Sequence, residues 1–194
     1  MLVGGNLALD FVNTIANRFT ADRQRDLLGS PAEALSWLNE AGLLASGAGK
    51  SLTRDRLQEL RAIREELYGV LAAKLAGERL SANGLEHIQE RFKALMTHRQ
   101  LLVTGDNVAW TWRRTAPPLA SVHFTILTAA LDLLTSSDLS RVRRCEGDGC
   151  GWLFVDSSRG GHRKWCVMSD CGNRAKAKRH YARRLRDLAA ESDR

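Results

Sequence analysis

Cys145, Cys150, Cys166 and Cys171 are the residues best placed to do chemistry in this chain. They form two close pairs, each with four residues between its members and fifteen between the pairs. A tetrahedral ion needs this arrangement: each pair sits on a tight turn, and the insert folds back to bring the pairs together. Zinc takes four thiolates at about 2.3 Å, and a site closed by four leaves no position for water, so its role is structural. The chain has no other cysteine. With no mark of secretion, such clustering favours a metal over disulfides. His162 and His180 could substitute as ligands, but four cysteines complete the set without them.

The elements that position these thiols follow from the residues between them. Glu146-Gly147-Asp148-Gly149 is turn-forming, and Trp152-Leu153-Phe154-Val155 reads as a strand. Residues 157–161 read as a loop and 163–167 as the returning strand that delivers Cys166. Ser169 or Asp170 is expected to cap a final helix over about residues 170–190. Cys171 then sits in the first turn, where the helix dipole favours a thiolate. Along that helix Ala177, Tyr181, Leu185 and Leu188 make an apolar stripe, with Lys176, Arg179, Arg183 and Arg186 on the opposite side.

Charge singles out the same region. Residues 1–140 hold 15 basic and 15 acidic side chains, whereas 141–194 hold 14 basic and 7 acidic and so carry the whole net +7. Residues 171–186 contain no acid. A solvated helix face usually mixes signs, so a polyanionic partner is expected for this end alone. Arg163, Lys164 and Arg174 add charge near the loop and the helix start. A basic helix suits the DNA major groove. The rings of Trp152, Phe154 and Trp165 could instead stack on single-stranded RNA, or serve as the small module's core. A lone small finger often gains specificity through a second copy, so a homodimer is a candidate state.

The preceding 140 residues read as the helical body that carries this module. Leu7, Phe11 and Ile15 share a helix face with Ala8 and Val12. Ser30-Pro31-Ala32-Glu33 is a helix start with a capping box. Thr53 can cap a long helix through Leu57, Leu60, Ile63, Leu67 and Leu71 that ends near Gly77. Ser81 opens another, with Leu85, Ile88, Phe92 and Leu95 inward. The period then changes to two around Gly105-Asp106-Asn107, predicting a β-hairpin. Residues 119–134 form an apolar helix, interrupted by His123 and Asp132 and too short for a membrane span. The chain start has no basic region of a signal peptide, so a cytoplasmic location is expected. The fold class is mainly α: a helical domain with a β-hairpin over residues 1–140, then a small zinc-bound β-hairpin and helix over 141–194.

Other features of the body carry less. Ser46-Gly47-Ala48-Gly49-Lys50-Ser51 ends like a phosphate-binding loop, but Leu44 stands where that motif needs glycine, and no strand precedes it. Asp10, Asn13, Thr14 and Asn17 place polar groups on one face of the first helix. Asp10, Asn13 and Thr14 are candidate ligand-binding residues, with satisfied internal hydrogen bonds the plainer explanation. His87 and His98 read as surface residues. No acid–base pair stands out, so no enzyme is expected; the rival is an enzymatic body targeted by a nucleic-acid-binding finger.

The tetrapeptide Cys171-Gly172-Asn173-Arg174, with Trp165-Cys166 before it and Lys176, Arg179 and Tyr181 after, closely resembles the CGNR zinc finger. Gly4-Gly5-Asn6-Leu7-Ala8-Leu9-Asp10-Phe11-Val12-Asn13-Thr14 resembles the start of the ABATE domain that commonly precedes that finger in bacteria. The resemblance implies a bacterial transcription regulator proposed for stress responses. Its body would sense a small-molecule effector and its finger would bind DNA. It also implies Cys145, Cys150, Cys166 and Cys171 as zinc ligands, and DNA contacts among the basic residues from Arg174 onward.

Overall fold

The computed structural model describes residues 2–44, 51–79 and 82–192. Residues 46–50 of the glycine-lysine segment and the expected helix opener Ser81 lie outside these. The first helix, α1 (Leu7–Val12), is capped by Asn6, whose side chain accepts the Ala8 N–H at 2.8 Å. Ala8, Leu9, Phe11 and Val12 are fully buried. The helix stops three residues short of the expected Ile15, because Asn13 turns away to reach a distant strand. Ile15–Ala16 (β1) instead pairs antiparallel with Arg25–Asp26 (β2). Asn17 therefore leaves the helix face assigned to it, adopting a φ of 51° and donating to the Arg23 carbonyl.

The next two helices start as their sequences dictate. Ser30 accepts the Glu33 N–H at the head of α2 (Pro31–Glu40), and its hydroxyl donates to the Glu33 carboxylate at 2.8 Å. Thr53 caps α3 (Arg54–Leu75), and Gly77 follows the last turn with φ of 72°, a conformation that glycine adopts without strain. Leu57, Leu60, Ile63, Leu67 and Leu71 form the buried face of α3. Helix α4 (Ala82–Met96) buries Ile88 and Leu95. The expected hairpin is β3 (Arg99–Thr104) and β4 (Asn107–Trp112), registered with Leu101 opposite Trp110. Its base is held by Trp112 edge-on to Phe124 and by Arg99 over both rings, while its apolar tip is exposed. The core helix α5 (Ala120–Thr135) buries Val122, His123, Ile126, Leu127, Ala130 and Leu133 against α1 and α4.

The C-terminal module has a hairpin, but its strands differ from those expected. Leu153–Val155 (β6) pairs with Val142–Arg144 (β5), upstream of the cysteines, and residues 163–167 form no strand. The reason is the Asp156 turn. Its carboxylate accepts the N–H groups of Ser158 and Arg163 at 2.9 Å each, so the returning chain is tied to a side chain rather than to a ladder. The final helix, α6 (Asn173–Ser192), begins later than expected and follows a wide π-type turn over Met168–Gly172 that holds Cys171. The apolar stripe on α6 is not buried: every side chain from Lys176 to Leu188 is exposed.

Strand β6 fastens module to body. Leu153 and Val155 face the main hydrophobic core, while Phe154, fully buried, faces the cysteines. This is the two-residue period of a strand with apolar cover on both sides.

Candidate metal centre and nucleic-acid interface

The four cysteines converge into one buried group whose sulfurs all lie within 4.8 Å of one another. The Cys150–Cys166 and Cys166–Cys171 sulfur separations are both 3.7 Å. A tetrahedron with metal–sulfur bonds of about 2.3 Å has an edge of about 3.8 Å, so the spacing fits zinc. Backbone N–H groups of Gly147 and Cys166 both point at the Cys145 sulfur at 3.3 Å. Thiol donation from Cys150 and Cys166 and these two N–H groups hold the Cys145 thiol far below its ordinary pKa. The same sharing with Cys145, together with burial, pushes Cys150 up. Among the described residues, neither His162 nor His180 belongs to the group.

Each residue of the tetrapeptide has a separate task. Cys171 supplies a sulfur. Gly172 ends the wide turn, and a side chain there would push the exposed Met168 thioether aside. Asn173 donates to the Ser169 carbonyl at 3.1 Å. Arg174 donates to the Cys171 sulfur at 3.0 Å and lies 3.4 Å from Asp170, so part of its charge is directed at the metal centre. Gly147 is equally constrained: an added Cβ would stand 2.8 Å from the Cys171 sulfur and 3.2 Å from that of Cys145.

The knuckle also leans on the body. Arg18 and Phe19 donate their N–H groups to the carbonyls of Cys150 and Gly149 at 3.1 and 3.0 Å. Tyr68 of α3 donates its hydroxyl to the Gly151 carbonyl, and the Trp152 indole donates to Ile15. Gly149 and Gly151 both have positive φ, and a Cβ on either would collide with Thr20 or with Arg18 and Phe19.

The side chains suspected of binding a ligand make internal bonds. Asp10 accepts the N–H groups of Val3 and Gly4, both at 2.7 Å. Burial raises its pKa despite those two donors. Asn13 clamps Leu153 on both sides, donating to its carbonyl and accepting its N–H, each at 2.8 Å. The Thr14 hydroxyl donates to the Phe11 carbonyl and accepts from Arg64, which grips Asp26 bidentately. The glycine-rich opening motif thus staples the chain start, α1 and the finger together.

The basic residues divide into two groups. Arg163 is turned inward, donating to the carbonyls of Val3, Trp165 and Cys166 and covering the Phe154 ring at 4.2 Å. Lys164 stands 3.5 Å from Glu146. Lys176, Arg179, Arg183 and Arg186 are exposed along α6, and the first three line a shallow depression with His180. Lys178, on another side, pairs with Asp148 of the knuckle at 2.9 Å. The aromatic rings of the finger are largely used as core: Phe154 is buried, and Trp152 and Trp165 pack against the cysteine cluster.

No helix among the described residues is long and apolar enough to cross a membrane. No curated protein matches the chain. A family model described as "Putative stress-induced transcription regulator", ABATE, matches residues 5–137, and the CGNR zinc finger model matches 141–184. Neither is an enzyme family. With two thirds of its length covered by the first model and the cysteine site covered by the second, the chain belongs to the ABATE family and carries a CGNR zinc finger at its C-terminal end.

Proposed function

We propose that this protein is a zinc-dependent DNA-binding transcription regulator, with residues 141–194 as the DNA-binding finger and 1–140 as a body that responds to a small molecule. The observation that carries the reading is α6. Lys176, Arg179, Arg183 and Arg186 follow one another at helical spacing on an exposed surface that no acid interrupts. A helix of 20 residues is about 30 Å long, nearly one turn of duplex. Its root is tied to the metal centre through Arg174 and Cys171. Zinc therefore sets the direction in which the basic residues project. Packing of Phe154, Trp152 and Trp165 inside the finger favours duplex DNA over base stacking on RNA. Lys164 and Arg174 flank the same end and add phosphate contacts, while Arg163 supports the finger from within. Two copies on adjacent half-sites would supply the specificity that one small finger lacks. The place of action is then the bacterial cytoplasm.

Salt titration of binding to a duplex tests the reading. Each phosphate contact contributes about 0.9 to the slope of log affinity against log salt. The Arg179→Ala, Arg183→Ala double variant should lose about 1.8 of that slope. Unchanged affinity and slope would remove α6 from the interface.

A further inference from the structure

Helices α3, α4 and α5, with His98 and Pro117 beside them, line a half-open cavity of about 160 Å³ to which the finger contributes no residue. Ile63, Leu95 and Leu127 give it apolar walls, and Glu59 and Arg91 stand at it half-exposed. His123, 4 % exposed, lines it, and its Nε2 is buried without a hydrogen-bond partner. Leaving a buried polar atom unpaired costs about 1–3 kcal/mol, so such an atom calls for a complement. An apolar cavity of about 150 Å³ is known to admit one benzene ring.

We propose that this cavity is the effector site of the body, and that it takes a small, neutral, single-ring molecule whose hydroxyl donates to His123 Nε2. The proposal rests on the sensing role assigned above and names its site. The polarity of the contact follows from the histidine's surroundings. Nδ1 lies 3.7 Å from the Glu59 carboxylate, which favours the ring's single proton on that nitrogen and leaves Nε2 as an acceptor. Burial lowers the His123 pKa, which keeps the ring neutral. Arg91 does not recruit an anion strongly, because Glu66 already holds it through two hydrogen bonds of 3.0 and 3.1 Å. The cavity thus has room for one ring, a buried acceptor on His123, a second imidazole on His98, and little net charge.

The route to the finger is short. Helix α3 supplies Glu59 and Ile63 to the cavity, then Arg64, the next residue, which grips Asp26, and Tyr68, five residues after Ile63, which bonds the knuckle at Gly151. A ring wedged against Ile63 presses on the helix that seats the finger.

The test uses the full-length, zinc-loaded protein, histidine-labelled with ¹⁵N, and three probes: phenol, toluene and benzoate. Phenol should move the His123 Nε2 resonance saturably and raise the melting temperature. Toluene, the same ring without the donor, should bind about tenfold more weakly, the worth of one hydrogen bond. His123→Phe should erase the preference for phenol over toluene, and Leu127→Trp, which fills the cavity, should abolish binding of both. A His123 resonance indifferent to phenol, with water alone as the complement, overturns the proposal. So does equal or tighter binding of toluene or benzoate, or a response that survives Leu127→Trp. The wild-type resonance decides even if a variant fails to fold. Phenol binding that leaves DNA affinity unchanged overturns the sensing role but not the site. An effector that alters DNA affinity without moving His123 overturns the site but not the sensing role.

Discussion

Asn13 offers the sharpest test of how the finger is held. Its amide makes two 2.8 Å hydrogen bonds to the backbone of Leu153, 140 residues away, and is 4 % exposed. Replacing it leaves a buried N–H and a buried carbonyl without partners. At about 1–3 kcal/mol each, the loss is about 4 kcal/mol, a large part of the roughly 5–15 kcal/mol by which a typical domain is stable. Two substitutions separate the possible outcomes. Asn13→Ala opens a gap near the size of a water molecule, and a water bridging Leu153 would recover part of the loss. Asn13→Leu fills the space and keeps water out, so it should cost more than the alanine variant despite having the same number and branching of side-chain heavy atoms as asparagine. In a chain of this length 1 kcal/mol shifts the melting point by about 2–4 °C, so the leucine variant should melt roughly 8–16 °C lower. Denaturant unfolding followed by far-UV circular dichroism, with zinc release measured in parallel by a chromogenic chelator, reads both consequences. The reasoning fails if Asn13→Leu costs less than about 1 kcal/mol, or if it frees zinc while the helices keep their full stability.

Three further outcomes follow from the same contacts. Stripping the metal with a strong chelator should unfold the finger, because structural metal binding is folding energy; since Leu153 and Val155 belong to the body's core, the helical body should also melt lower, visible as a loss of helix stability by circular dichroism. Gly149→Ala and Gly151→Ala should each destabilise the protein by about 1–3 kcal/mol and speed zinc loss, because both combine positive φ with a collision against Arg18–Thr20 contacts, whereas alanine at the exposed Gly105 hairpin turn should bear the backbone strain without the collision. Stability should fall with acid in two windows. Burial depresses the His123 pKa, so below about 6.5 the unfolded chain binds a proton that the folded one refuses. Burial alone would raise Asp26, but Arg64, the Leu28 N–H and Arg61 together hold it below the usual carboxylate range, so its contribution is fully present above about 3.9 and is lost as pH falls from there through the lower folded-state value. Zinc loss also rises with acid, so the reading is the difference between wild type and variant: His123→Phe should flatten the upper window and Asp26→Asn the lower.

Local rules carried a sequence reader far into this molecule. The cysteine spacing, the Ser30 and Thr53 caps and the hairpin around Gly105 each depend on a few neighbouring residues, and each stands in the structure. What local rules could not supply were partners across the chain. Asn13 on an amphipathic helix looks the same whether it faces solvent, a ligand or Leu153, and the contact that settles its position is separated by 140 residues. Strand β6 paired upstream with β5 rather than with residues 163–167 for a similar reason: the Asp156 carboxylate claimed the Ser158 and Arg163 N–H groups. One signal was available. Leu153-Phe154-Val155 is apolar on both faces, and a strand like that needs cover on two sides. The segment matched by the finger, residues 141–184, has material for one, so the second had to come from the body.

That shared cover changes what a zinc finger is in this protein. A finger on a flexible tether would report only its own metal state. This one is seated by Asn13, by the Arg18 and Phe19 N–H groups and by the Tyr68 hydroxyl, and three of those four residues lie within or just after the opening motif of the body. The fourth, Tyr68, lies on α3, which also touches the cavity beside His123. If a ligand in that cavity alters DNA affinity by some factor, DNA must alter ligand affinity by the same factor. One contact through which such coupling would pass is the Tyr68–Gly151 hydrogen bond of 3.1 Å, together with Arg18, which lies over the Tyr68 ring at 3.8 Å and bonds Glu65 of α3. Tyr68→Phe keeps the stacked ring and removes only the hydroxyl. It should therefore leave the helical body intact while weakening the dependence of DNA affinity on the ligand, and measuring DNA affinity with and without phenol in both proteins separates the two. Coupling of equal size in the variant would mean that the Tyr68 hydroxyl helps to hold the finger but does not carry the signal to it.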